Sequence, residues 1–185
     1  MTMSLLPSSA PRVAQAFPAV TSAEPNGSPA ALRFRERVRS RIGTAELLAF
    51  CVGTERFAVD VRALDEALDA PPIERLVLAA GAILVGLTRF GNRSIPVFDA
   101  GRLLGLPMAL GGQLLILRSG TSRIGLLVDQ VDDVITLDLG TIKPPPFDAG
   151  DELLLGVTWQ HAQLTGILDA RALITMCQQR SEGGP

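Results

Sequence analysis

Cys51, His161 and the carboxylates Asp129, Asp132 and Asp133 are the side chains of this sequence whose types could do chemistry. A cysteine thiolate beside a histidine base would make a nucleophile. Cys51, however, stands inside the apolar run Leu47-Leu48-Ala49-Phe50-Cys51-Val52, and His161 falls in a turn between two strand-like runs. A thiol in such a run behaves as a small hydrophobe. Cys177 is far away in sequence and there is one histidine in the chain, so neither a disulfide framework nor a zinc site is expected. The three Asp would alternate sides on a strand and lack the loop glycine of a calcium site, which makes them an expected solvated rim. No catalysis, cofactor or metal is expected. The remaining charged cluster is Arg33, Arg35, Arg37, Arg39 and Arg41, within a short basic helix or linker at 31–43 that Gly43 closes. Its plain reading is a solvated linker; an acidic partner, a nucleic acid or a membrane surface would also attract it. The body offers neither aromatic stacking residues nor a recognition helix, so nucleic acid is not expected.

Composition narrows the elements that must position any such group. Of 185 residues, 47% are apolar but 4% aromatic, so the core is built from Leu, Val, Ile and Ala. Eighteen Gly and 13 Pro favour many short elements over long helices. The net charge of −2 hides a split: residues 1–43 carry six Arg against two Glu, and residues 44–185 carry 11 basic against 17 acidic groups. Residues 1–30, with five Pro, are expected to be a disordered leader, and residues 179–185 a flexible tail. The longest apolar stretch free of charge in the body, 103–117, has 15 residues and is broken by Pro107 and Gly111-Gly112, too short and interrupted to span a bilayer. Pro7, Pro11 and Pro18 break up the N-terminus where a signal peptide would need an apolar run. A reduced, cytoplasmic protein without direct membrane insertion is the expectation.

Short Val/Leu/Ile-rich runs predict strands at 46–52, 57–61, 82–88, 94–98, 113–118, 122–128, 131–137, 153–159 and 163–168. Helices are predicted at 62–68, 100–104 and 170–178. Two of these patterns recur. Gly53-Thr54-Glu55-Arg56 returns as Gly120-Thr121-Ser122-Arg123, 67 residues later. Gly86-Leu87-Thr88 returns as Gly156-Val157-Thr158, 70 residues later, and each is followed after 13 residues by Asp-Ala, at Asp99 and at Asp169. Two copies of one β-rich unit follow, each with a glycine turn and an Asp-capped helix. A unit this small hides its apolar face best by closing into a barrel. The mainly β fold expected is two five-stranded, SH3-like barrels over 44–178, the first at about 44–110 and the second at about 111–170.

At this point the chain resembles the CheW family of chemosensory adaptors over about 45–176. The opening hairpin runs Leu47-Leu48-Ala49-Phe50-Cys51-Val52-Gly53-Thr54-Glu55-Arg56-Phe57-Ala58-Val59-Asp60-Val61; Gly86 is followed by Ile95-Pro96-Val97-Phe98-Asp99. Gly125-Leu126-Leu127-Val128-Asp129-Gln130-Val131, Ile142-Lys143-Pro144, Leu155-Gly156-Val157 and Ile167-Leu168-Asp169 come in order behind. No single motif is specific, but six in order are. The resemblance implies two small β-barrels, no catalysis and no cofactor. It implies a scaffold joining the tip of a methyl-accepting chemotaxis receptor to a CheA-type histidine kinase.

Carried over by position, the resemblance points to Leu64, Glu66 and Leu114 as receptor-facing residues, with apolar anchors and a polar rim to fix register. Where the family usually has Asn-Leu-Arg-Gly, this chain has Arg89-Phe90-Gly91-Asn92. The family's coupling arginine falls on Gly91, and Asn92 is expected to take the left-handed turn conformation of the glycine it replaces. Arg89 and Arg93 flank the altered turn and complete the candidate set. The alternative implied by this departure is a divergent regulator of motility or type IV pili that binds another partner.

Overall fold

The computed structural model describes residues 33–76, 82–145 and 153–182, with the backbone of Gln15–Ala16. Strand-to-face alternation builds its layers. In β8 (Gln113–Ser119), Leu114 and Ile116 enter one apolar cluster with Ile95, Val97 and Leu127. Leu115 and Leu117, on the opposite face, enter a second cluster with Phe50, Phe98 and Leu126. Likewise, β2 (Thr44–Val52) sends Ala45 and Leu47 into a third cluster with Ala58, Leu139 and Ile167. Its residues Leu48, Phe50 and Val52 join the shared middle one. The protein therefore has two inner cores and a common core between them.

Two sheets surround these cores. The first has the order β1 (Gln15–Ala16), β4 (Leu64–Asp69), β8, β9 (Ser122–Val128), β7 (Arg93–Asp99), β6 (Leu84–Phe90) and β5 (Glu74–Arg75). The second has β10 (Gln130–Asp138), β2, β3 (Glu55–Asp60), β12 (Gln163–Leu168) and β11 (Leu154–Gln160). The fold is mainly β, with five principal strands in each sheet. Pairing crosses the boundary near residue 110 that sequence order suggested: β8 and β9 lie between β4 and β7, and β2 and β3 lie between β10 and β12. Each sheet is thus made from both copies, and 44–110 and 111–170 are not separate sheets.

The duplication is visible in backbone detail. Parallel pairing sets Val97 opposite Gly125 in one sheet and Ile167 opposite Ala58 in the other. A bulge separates Leu84 from Gly86 and, 70 residues on, Leu154 from Gly156. Both bulge glycines are obligatory for space: a Cβ would lie 2.2 Å from the Glu74 carbonyl oxygen at Gly86 and 2.4 Å from that of Lys143 at Gly156. Asp99 caps α2 (Ala100–Leu103) through the Arg102 N–H, and Asp169 accepts from the N–H groups of Arg171 and Ala172 at the start of α3 (Ala170–Glu182).

Four local expectations change. The helix predicted at 62–68 is a single 3-10 turn, Val61–Ala63, followed by β4. Its cause is a bulge between Leu64 and Glu66 that turns Leu64 and Ala67 to the same core, giving helix-like spacing in a strand. Gln15–Ala16, in the leader, pairs with Glu66 and Ala67 of β4; the rest of 1–30 lies outside the described residues. The C-terminal helix passes 178 to Glu182, its last turn supported by the Ser181 hydroxyl donating to the Cys177 carbonyl at 2.8 Å. Residues 183–185 lie outside the described residues. Finally, the basic segment is not a solvated linker. Its helix, α1 (Phe34–Ser40), buries Val38 and packs Phe34 on the core of the second sheet.

Candidate protein-binding surface

Local folding decides which of the sequence-derived candidates can meet a partner. Leu64 is 2% exposed and Leu114 is 0% exposed; both face inward, one to the shared core and the other to the core of the first sheet. They hold the wall from behind and do not present anchors on it. Glu66 is half-buried on β4, between Ile116 of β8 and Ala16 of β1 in the ladder.

Arg89, Gly91 and Arg93 come together at the tip of the β6–β7 hairpin, and all three are exposed. Phe90 pairs with Arg93 across the two-residue connection and rests on the inner core, which fixes the tip while leaving both arginines outward. Gly91 takes the positive φ, +58°, so the left-handed position belongs to Gly91 and not to Asn92. Three strands separate β4 from β6 in the sheet. No hydrogen bond or ion pair joins Glu66 to either arginine among the described residues. The candidates therefore form an exposed cationic hairpin tip and a separate acidic position on β4.

Two features were not singled out in the sequence. Asp65, next to Glu66, is clasped by Arg118 at 2.8 Å and Arg123 at 2.5 Å from the β8–β9 hairpin. The second copy's hairpin, β11–β12, carries Trp159 opposite Leu164, with 69% and 44% of their surfaces exposed. These positions stand 70 residues after Arg89 and Ser94. Thus the two copies present equivalent tips of unlike chemistry, one cationic and one apolar. The lone tryptophan in the composition was the available signal, since tryptophan is costly to expose and enriched at binding hot spots.

Three of the five groups able to do chemistry, Cys51, Asp129 and Asp132, are engaged in structure. Asp129 accepts from the Gly53 N–H at 2.5 Å and from the Leu110 and Gly111 N–H groups at 2.5 and 3.3 Å. Asp132 accepts from Arg56 Nε at 3.0 Å and lies 3.8 Å from the Cys51 sulfur. Both are half-buried clasps and not a solvated rim; Asp133 is exposed. Burial, reinforced by Asp132, raises the Cys51 pKa, the wrong direction for a nucleophile. His161 is exposed in the β11–β12 turn.

A profile of the CheW-like domain matches residues 46–178. The chain is 32% identical over 112 residues to the chemotaxis protein CheW of Rhizobium meliloti, covering 59% of this chain and 72% of that one. It is 28% identical, with the same coverage, to a probable chemotaxis protein CheW of Rhizobium etli. The crystal structure of the scaffolding protein TtCheW from Thermoanaerobacter tengcongensis superposes with a TM-score of 0.61 at 20% identity, over 69% of this chain and 90% of that one. The chain belongs to the CheW-like domain family and is, at that level, a noncatalytic chemotaxis adaptor scaffold.

Proposed function

We propose that this protein couples the cytoplasmic tip of a methyl-accepting chemotaxis receptor to a CheA-type histidine kinase. The observation that carries the reading is the family match across 46–178, which takes in strands of both sheets and both hairpin tips. A coupler needs two surfaces, and the paired tips supply them: Arg89 and Arg93 on one, Trp159 and Leu164 on the other. The arginines suit a partner with carboxylates at its surface, and Trp159 suits an apolar pocket. Glu66, on β4 within the first sheet, sets the polar register. A cytoplasmic location follows from these partners; among the described residues no helix is long and apolar enough to cross a membrane.

The test measures binding of a soluble receptor fragment and of the kinase separately, for wild type, Arg89→Glu/Arg93→Glu and Trp159→Ala. Wild type is expected to bind both, and each variant to lose at least about tenfold, or about 1.4 kcal/mol, for one of them. Kinase binding without receptor binding would replace this reading with the divergent regulator, for which the altered turn at Gly91-Asn92 is the motive. Binding of neither would refute both.

A further inference from the structure

An open groove of about 750 Å³ lies on the face where α1, α3, the end of β3 and the β8–β9 turn meet. Five guanidinium groups line it: Arg33 and Arg35 from α1, Arg62 after β3, Arg118 before the turn and Arg171 on α3. Two carboxylates line it as well, Asp60 and Asp169. Each is already taken, since Asp60 pairs with Arg62 at 2.7 Å and Asp169 with Arg35 at 2.6 Å while capping α3. Arg118 pairs with Asp65. Arg33 and Arg171 are exposed, and no ion pair engages either among the described residues. The groove thus keeps a positive excess after its internal pairs are made. Its floor between the arginines is apolar, with half-buried Phe34, Ala172 and Met176.

We propose that this groove binds a short acidic segment of a partner protein, an amphipathic stretch with Asp or Glu flanking a few apolar side chains. Guanidinium forks pair bidentately with carboxylates, and the apolar floor takes the other face of such a segment. Every cation is an arginine, the type whose planar fork favours this geometry. The acidic body argues against a long polyanion: residues 44–185 hold 17 acidic against 11 basic groups, which repel a nucleic acid or an anionic bilayer beyond the groove itself. One wall belongs to α1, which precedes the matched residues 46–178. The groove shares no lining residue with the β6–β7 or β11–β12 tips.

The full chain is titrated with labelled peptides of about 12 residues carrying Leu or Phe every third or fourth position and Asp or Glu between them. The same peptides with Asn and Gln serve as neutral counterparts. Arg33→Glu/Arg171→Glu is compared with Arg39→Glu/Arg180→Glu, which makes the same charge change at exposed positions outside the groove. Circular dichroism and melting confirm that both variants stay folded. Wild type is expected to bind the acidic peptides, more weakly as salt rises from about 0.05 M to about 0.3 M. The groove variant should lose at least about tenfold, and the control less than about twofold. Equal binding of the neutral peptides, equal loss in the control variant, or no binding at about 1 mM peptide would overturn the proposal. So would displacement of the peptide by an oligonucleotide or by anionic vesicles at lower concentration than by unlabelled peptide.

Discussion

Asp99 and Asp169 occupy equivalent places, and their surroundings differ in a way that single substitutions will separate. Asp99 is 0% exposed; one oxygen accepts from Arg102 and Ala109, at 2.8 and 3.3 Å, and the other has no partner among the described residues. Asp169 caps α3 and also holds Arg35 of α1. Asp99→Ala and Asp169→Ala should each cost about 1–2 kcal/mol through the lost cap, read from urea midpoints. In Asp169→Ala alone, α1 should also lose amide protection. Leu64→Asp, which would test an exposed anchor, instead places a carboxylate in the shared core and should cost about 4 kcal/mol or more, abolishing the cooperative melt. The two thiols should differ as well. Cys177 is 0% exposed, and burial pushes its pKa up to about 12. At pH 8 it holds on the order of a thousandfold less thiolate than a free cysteine. Iodoacetamide should modify half-exposed Cys51 first, with Cys177 reacting at the rate of global opening; faster labelling of Cys177 would contradict its burial.

At the scale of elements, glycine and turn chemistry give predictions of opposite sign. Ala162 and His161 both hold positive φ, +64° and +48°, in the connection of β11 to β12. Ala162→Gly relieves about 1 kcal/mol and should raise the melting temperature. Gly156→Ala must push a Cβ against the Lys143 carbonyl and should cost about 2 kcal/mol, whereas Gly53→Ala meets nothing within 4 Å and strains only its φ of +60°. The nine strands expected from apolar runs all form, and the clearest runs are those of β2, β8 and β9, where both faces of the strand are buried. That same two-sidedness made Leu114 illegible as interior or exposed: both faces of β8 are apolar, and sequence does not say which apolar face meets a partner. β4 was read as a helix because its bulge puts Leu64 and Ala67 on one side, three residues apart. The docking of α1 was hidden for a simpler reason. Arginine occupies every second position of the segment, and the contact rests on Phe34, Val38 and the long stem of Arg37, whose guanidinium donates to the Thr44 carbonyl. Burial and the nearby Arg62 lower the Arg37 pKa. Val38→Asp should undock the helix, removing hydrogen-exchange protection from Phe34–Ser40 while β8 stays protected.

Across the whole molecule, the repeat predicts two like units and the strand order shows why they do not stand apart. One β-hairpin of each copy, β2–β3 or β8–β9, is inserted between strands of the other, so fragments 44–110 and 111–178 should each remain unfolded and regain native-like circular dichroism when mixed. Folding of either fragment alone would contradict the pairing of β7 with β9 and of β3 with β12. Such interleaving holds the two hairpin tips in a fixed relation, which a scaffold joining two partners requires. The most direct measurement is cosedimentation of a CheA-type kinase with an array-forming receptor fragment, with and without this protein. The account predicts that kinase enters the receptor pellet only when the protein is present, and that Arg89→Glu/Arg93→Glu and Trp159→Ala each reduce its recovery. Kinase recovery unchanged by adding the protein would contradict the claim that it couples the two.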